Sequence, residues 1–258
     1  MTGRSRDGAF ALYTVVLEDK AAILPANIAF TDGAVIPLAL ESAVCALFVK
    51  NEGQALPGVA TPALGLPFPS LKPTPASDQT KTLIVWGGSS SVGSMTTQLG
   101  SAAGINVLAV AGAHNVDLCK RSGAAEVFDR NDSDLVDKLV KAVKELGEES
   151  FVGVFDSISV PETYSNSLAI LEKLGGGHLA CVHPPPADVP ANVKAGMIFA
   201  FNDAATPIWR DYVTPALDSG KLLSLPQAKV VGKGLEHIQE ALAMSKAGVS
   251  AQKLVVEL

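Results

Sequence analysis

The sequence predicts an α/β fold built on a doubly wound parallel sheet, and three observations carry that expectation. Short apolar runs rich in β-branched residues alternate with longer segments of helical spacing. Most of the runs are near-continuously apolar, as strands covered on both faces must be. A glycine- and serine-rich turn stands between the first of them and the helix that follows. With 258 residues, 48% of them hydrophobic and 18% charged, the chain has enough apolar material for a large buried core. Its 20 basic and 26 acidic residues give a net charge of −6, a field that repels polyphosphate backbones, so no nucleic-acid partner is expected.

Each element has its own signal. Ala9–Leu17 reads as a strand and Asp32–Val49 as an apolar helix in which Pro37 marks either a kink or the true start. Between Asn51 and Thr80 lie six of the sixteen prolines and three glycines, a composition that excludes helix and interior strand and predicts a linker. Strands follow at Thr82–Trp86, Asn106–Val110, Glu126–Asp129, Val152–Asp156, His178–His183 and Gly196–Phe201. Helices are predicted between them at Val92–Ala103, Asn115–Ser122, Ser133–Gly147 and Glu162–Leu174; in the third, Leu135, Leu139, Val143 and Leu146 form one apolar stripe and Ser133 is the expected N-cap. The chain then predicts a helix at Pro207–Ser219, a strand at Ala228–Val231, a helix at Leu235–Lys246 and a strand at Lys253–Leu258.

Phe10–Leu17 closes on Glu18-Asp19-Lys20 without a small-residue cleavage site, so no signal peptide is read. No stretch approaches the ~20 apolar residues of a membrane span, and the expected location is cytoplasmic, with no membrane partner. Cys45, Cys119 and Cys181 are too scattered for a local metal site and too few for a disulfide framework.

Chemistry concentrates at Gly87-Gly88-Ser89-Ser90-Ser91-Val92-Gly93, directly after the first sheet strand. A tight turn opening a helix offers backbone N–H groups and a positive helix end to a pyrophosphate. Against G-x-G-x-x-G the segment matches at Gly88 and Gly93 and carries Ser90 in place of the middle glycine, so serine hydroxyls stand where backbone would approach the phosphate. The blander reading is a turn that merely caps a helix. At the tip of the second strand, Ala111 to Asn115, no carboxylate appears before Asp117, whereas a free ribose 2′-hydroxyl is usually met there by Asp or Glu. That absence predicts NADP(H), with Gly112, His114 and Asn115 near the 2′-phosphate, His114 otherwise being an ordinary surface histidine. Arg130 is either a phosphate partner or a solvated charge, and His183 with Pro184 to Pro186 forms a rigid loop lip. A Tyr-x-x-x-Lys pair fails at all three tyrosines, whose fourth following residues are Leu17, Leu168 and Ala216. Neither a nucleophile elbow nor a P-loop lysine is present.

The segments VWGGSSSVGSMTTQLGSAAG, AGAHNVDLCKRSGAAEVFD, GGGHLACV and KLVVEL, in that order, resemble the medium-chain dehydrogenase/reductase superfamily, in its zinc-independent fungal branch of enoyl-reductase-like and quinone-reductase-like proteins. GAFALYTVV and AAILPANIAFTDGAVIPLALESAV are similar to the last part of that family's GroES-like catalytic domain. The resemblance implies a remnant of that domain with the interdomain helix at 1–50, the linker at 51–80, an NADP-binding Rossmann domain at 81–202 and a return to the catalytic domain at 203–258. It implies cofactor contacts at Ser89, Ser90, Ser91, Val92, Gly112, Ala113, His114 and Asn115, with Gly88 and Gly93 shaping the loop and Arg130 standing where the family commonly has tyrosine. A small hydrophobic acyl or aromatic substrate is implied against Pro37, Leu40, Glu41 and Val44, and against Phe199, Phe201 and Asn202. Leu40 occupies the position of a zinc-ligating cysteine, so no metal is expected. Most of the GroES-like barrel is expected to be missing, leaving strand edges for a homodimer or a partner that supplies the rest. The implied activity is NADPH-dependent, metal-free hydride transfer to an enoyl or quinone-like acceptor, in fungal secondary metabolism, with no catalytic residue assigned. The alternative is a shortened NADPH-binding relative with little catalysis, acting as a sensor or interaction partner.

Overall fold

The computed structural model describes residues 13–51, 63–72, 74–75, 78–200 and 203–258. A single turn, α1 (Phe30–Gly33), precedes α2 (Pro37–Phe48). Pro37 is the first residue of α2 and therefore starts the helix rather than kinking it, because its missing N–H is one that a first turn leaves unbonded anyway. Every residue of α2 from Ala39 to Phe48 except Glu41 is buried, which explains why its apolar character runs all the way round. Phe30–Phe48 is long and apolar enough, by length and composition, to cross a membrane, contrary to the sequence expectation, and 56% of that stretch is buried within the protein itself. Packing against α3 and the segment after the sheet accounts for that composition.

The chain then alternates: β1 (Lys81–Trp86), α3 (Ser91–Ala102), β2 (Ile105–Ala111), α4 (Val116–Arg121), β3 (Glu126–Asp129), α5 (Leu135–Leu146), β4 (Phe151–Asp156), α6 (Pro161–Lys173), β5 (Gly177–Cys181) and β6 (Val193–Met197). Among the described residues these strands form one six-stranded sheet in the order β3-β2-β1-β4-β5-β6, every pairing parallel. Chain direction across the sheet reverses between β1 and β4, and Trp86 pairs with Val110 on one side and Asp156 on the other, so three strand ends meet at that switch point. One face of the sheet packs Leu83, Val85, Val107 and Phe155 against α2, α3 and the segment from Ala204 to Leu222. The other packs Ile84, Leu108, Val154 and Leu179 against α5 and α6.

Beyond the sheet come α7 (Thr206–Ile208), a π-helical turn at Trp209–Val213, α8 (Thr214–Asp218), β7 (Gln227–Lys233), α9 (Ile238–Ala247) and β8 (Gln252–Glu257). β7 and β8 pair in parallel as a separate two-stranded sheet. Exposed apolar side chains cluster there, with Val230, Leu235, Leu242, Val249 and Leu258 each more than a third accessible.

Five sequence expectations are corrected. Residues 13–17 form no strand, so the strand expected over Ala9–Leu17 is absent from that part, while residues 9–12 lie outside the described set. The last strand of the sheet is Val193–Met197 rather than Gly196–Phe201, and the fifth stops at Cys181, short of prolines 184 to 186, which have no N–H to continue a ladder. Ser133 does not cap α5; Asp134 holds the N-cap position, and its backbone N–H donates to Asp132 Oδ1 at 2.9 Å. Leu146 is 43% exposed, so the buried stripe of α5 ends at Val143.

That difference along one helix is measurable. Leu139→Ala should lower the unfolding free energy by about 2–5 kcal/mol, and Leu146→Ala by less than about 1 kcal/mol, in urea denaturation followed by circular dichroism.

Candidate functional site

At the switch point the turn from β1 to α3 is held by its own side chains. Ser90 caps α3, its Oγ accepting the Gly93 N–H at 3.0 Å, and its backbone N–H donates to Gly87 O at 2.7 Å. Ser90 Oγ also lies 3.0 Å from Ser157 Oγ, which donates to Trp86 O at 2.5 Å, so a chain of hydroxyls ties the end of β1 to the end of β4. The two glycines are fixed by contact. A Cβ at Gly93 would stand 2.2 Å from Gly87 O, and one at Gly88 would stand 2.8 Å from Ala109 Cβ. Ser90 is tolerated between them because its side chain turns inward to cap the helix. It does not point at an incoming phosphate, as the sequence reading allowed, and the polar approach falls to Ser89, Ser91 and the amino end of α3.

A cleft of about 590 Å³ opens over this turn. Its walls are the β1–α3 turn, the β2 tip from Val110 to Asn115, Arg130 and Asn131 after β3, the β4–α6 turn, and residues 248–251 from the connection between α9 and β8. At the β2 tip Asn115 is buried, and its Nδ2 donates to Ser89 Oγ and to Ser250 Oγ, each at 3.1 Å. His114 Nε2 lies 3.3 Å from Ser250 Oγ. A Cβ at Gly112 would stand 2.9 Å from the His114 ring. The carboxylate that ends β3, Asp129, accepts the Asn131 N–H at 3.1 Å, and Arg130 is exposed on the cleft wall. Ala113 is exposed beside the tip without lining the cleft, and Val92 packs toward the core.

Two parts of the site escaped the sequence reading. The β4–α6 turn is organised by buried Asp156, whose Oδ1 accepts the N–H groups of Ile158 and Ser159 at 2.9 and 2.8 Å while Oδ2 accepts Thr163 Oγ1–H. A strand ending in Asp before Ser-x-Ser-x-Pro was the available signal. In the adjoining groove beside β8, Lys253 brings Nζ to 3.4 Å from Ser91 Oγ, and burial pulls its pKa below the ordinary lysine value. Nothing in the local sequence distinguishes Lys253 from other lysines; only the fold carries it to the loop.

The residues expected against a substrate are not gathered into this cleft. Leu40 and Val44 are fully buried in the core. Pro37 lines a separate hollow of about 240 Å³ beside Ile23, Phe30 and Trp209. Glu41 Oε1 accepts Trp209 Nε1–H at 2.7 Å, and burial pushes its carboxyl pKa up while that bond and Lys20 oppose the rise. Phe199 donates its N–H to Cys45 Sγ at 3.2 Å, and Phe201 and Asn202 lie outside the described residues.

The donor set does not fit a metal ion. Cys45, Cys119 and Cys181 sit in three different packing clusters, and burial pushes their thiols to about 11, 11 and 12. Among the described residues no three His, Cys, Asp or Glu side chains converge.

Sheet order, switch point and glycine-lined turn together define a dinucleotide-binding α/β protein. Comparison with known proteins narrows the class. The model of the zinc-binding dehydrogenase family matches residues 91–203. Dehydrogenase orsE of Emericella nidulans is 64% identical over all of this chain, which spans 74% of that protein. Trans-enoyl reductase himH of Aspergillus japonicus is 34% identical, again over the whole chain and 71% of the relative. Among solved structures, an NAD-dependent alcohol dehydrogenase superposes with a TM-score of 0.66 at 19% identity, over 97% of this chain and 65% of its own. The CurK enoyl reductase gives 0.59 at 18% identity, over 90% and 64%. The chain thus spans under two thirds of those solved structures and about three quarters of the curated relatives. It belongs to the medium-chain dehydrogenase/reductase superfamily of oxidoreductases.

Two outcomes follow from this geometry. Gly93→Ala should abolish nucleotide binding and lower the melting temperature by several degrees, because the contact it creates is with backbone; thermal shift with and without nucleotide reads both. The three thiols, with folded pKa values above their ordinary 9.0, should resist a thiol reagent at pH 8 until urea unfolds the chain. Their contribution to stability is full below pH 9 and is lost as pH rises toward 11–12, so unfolding at fixed urea should become easier across that window.

Proposed function

We propose that the protein is an NADPH-dependent, metal-free reductase that transfers hydride to an activated carbon–carbon double bond of an enoyl or quinone-like acceptor. The observation that carries this reading is the cleft at the switch point: its β2 tip offers His114 and Asn115, with Ser250 bonded to them from the α9–β8 connection, and no carboxylate, a set suited to a 2′-phosphate rather than a free 2′-hydroxyl. The names of the trans-enoyl reductase relatives support the acceptor class. Ser91 and the amino end of α3, with Lys253 facing them, would hold the pyrophosphate. Gly112, His114 and Asn115 would hold the 2′-phosphate, and Arg130 would lie along the adenosine side.

A bound reduced nicotinamide supplies hydride at C4. An enoyl acceptor would gain that hydride at its β-carbon and a proton from solvent at its α-carbon, and a quinone would gain the hydride and a solvent proton to become the hydroquinone, with oxidised nicotinamide left in either case. The chain's own contribution is to orient both molecules and keep water out. Small hydrophobic acyl or aromatic acceptors, a role in fungal secondary metabolism and a cytoplasmic setting belong to the same reading.

A second reading is favoured by the apolar groove of about 670 Å³ beside α9 and β8, lined by Leu235, Ile238, Leu242 and Val249. There the chain binds NADPH without turnover, as a sensor or interaction partner, until a second copy or a partner covers the groove with further β structure.

Titration with NADPH and NADH, followed by nicotinamide fluorescence, should show NADPH tighter by about tenfold or more. Oxidation of NADPH should follow addition of an enoyl thioester or a simple quinone. Equal binding of the two cofactors removes the 2′-phosphate assignment, and tight binding without turnover on either acceptor favours the second reading.

A further inference from the structure

We propose that the groove between α9 and β8 binds a carboxylate carrying an apolar tail, with the tail along the groove and the carboxylate on Lys253. This goes beyond the hydride-transfer reading, and only its consequence for NADPH rests on that reading. The groove has a volume of about 670 Å³, inside the range of about 300–1,000 Å³ usual for small-molecule sites. Its walls include Leu235, Ile238, Leu242, Val249 and Val255. No residue of α9 is buried, and Leu235, Leu242 and Val249 remain 42, 49 and 43% exposed, so their apolar surface is still in water. Covering it with a hydrocarbon chain is favourable in proportion to the area removed.

Charge selects the head of the ligand. Lys253 is the single charged residue among those lining the groove, in a chain whose net charge is −6. Its Nζ lies 3.4 Å from Ser91 Oγ, and among the described residues no carboxylate forms an ion pair with it. An ammonium drawn partly out of water without a counter-charge costs free energy, which is why its pKa is lowered. A carboxylate removes that cost by accepting from Nζ and from Ser91 Oγ–H, and the positive end of α3 adds to the attraction. An alcohol of the same length gains only the burial of its chain. The same reasoning sets a small molecule above a second copy of this chain: strands laid on the groove would cover the leucines but bring neutral backbone groups to Lys253. Ser91 and Lys253 also face the place assigned above to the cofactor's pyrophosphate, so the carboxylate and NADPH exclude one another. Free acids of the proposed acyl class would thereby restrain the reductase.

The test is isothermal titration calorimetry of the whole chain near neutral pH with sodium decanoate, using decan-1-ol and butyrate as controls for charge and chain, with circular dichroism of each variant as a check on folding. Decanoate should bind about tenfold or more tightly than either control. Lys253→Gln should bring decanoate to the level of decanol. Leu242→Asp, at an exposed helical position, should weaken decanoate by about tenfold while helix content is unchanged. Decanoate should raise the apparent dissociation constant of NADPH, and decanol should not. The proposal is overturned if decanoate binds no better than decanol, if Lys253→Gln leaves its binding unchanged, or if decanoate and NADPH bind at once. It is overturned equally if sedimentation shows a dimer whose formation blocks decanoate, since a second copy then fills the groove. If NADPH fails to bind while decanoate binds through Lys253, the NADPH reading falls and this site stands; if NADPH binds and decanoate does not, this site falls alone.

Discussion

The contact on which the rest depends is the approach of Gly93 to the Gly87 carbonyl. It allows α3 to begin within a turn of the end of β1, and so puts the helix's positive end at the switch point rather than beside it. From there the hydroxyls of Ser90 and Ser157 bind the turn to the neighbouring strand β4, and Ser89 binds it through Asn115 to β2. Three adjacent strands are thereby registered on one loop. A sheet whose strand ends are locked together in this way holds a phosphate-sized site rigidly before anything binds, and rigid placement is what a hydride donor requires.

The turn's serines divide between architecture and recognition. Ser90 is consumed as a helix cap, while Ser89 and Ser91 bond outward to Asn115 and Lys253. Serine at the middle position of the fingerprint is therefore compatible with the fold because the side chain has an inward partner, so the backbone's path through the turn is not disturbed. The β4–α6 turn repeats the device on a larger scale: one buried carboxylate, Asp156, satisfies two backbone donors and a hydroxyl and so keeps a polar loop ordered where it borders the cleft.

The helix before the sheet is built differently. α2 gives up almost all its surface to the core, and its one charged residue, Glu41, is held by Trp209 from the π-helical turn. A carboxyl kept there by an indole N–H and pressed toward its neutral form is a costly feature for a purely structural helix, since an apolar residue would pack without desolvation. Among the described residues, the polar cleft lies where the strand ends meet rather than beside α2.

The sequence by itself determined the α/β class, the strands at the sheet's centre and the glycine- and serine-rich turn, because each of these is a local pattern: apolar runs and glycines at fixed spacing. It also placed Gly112, His114 and Asn115 at the tip of the second strand, which lines the cleft. The ends of β5 and β6, the exposed fate of Leu146 and the inward turn of Ser90 were decided by neighbours that local patterns do not contain. So were Ser250 and Lys253, an ordinary serine and lysine in a C-terminal stretch, which acquire meaning because the α9–β8 connection folds back across the cleft. Hydrogen bonds over more than a hundred residues of sequence have no local signature, and only tertiary packing brings those partners together.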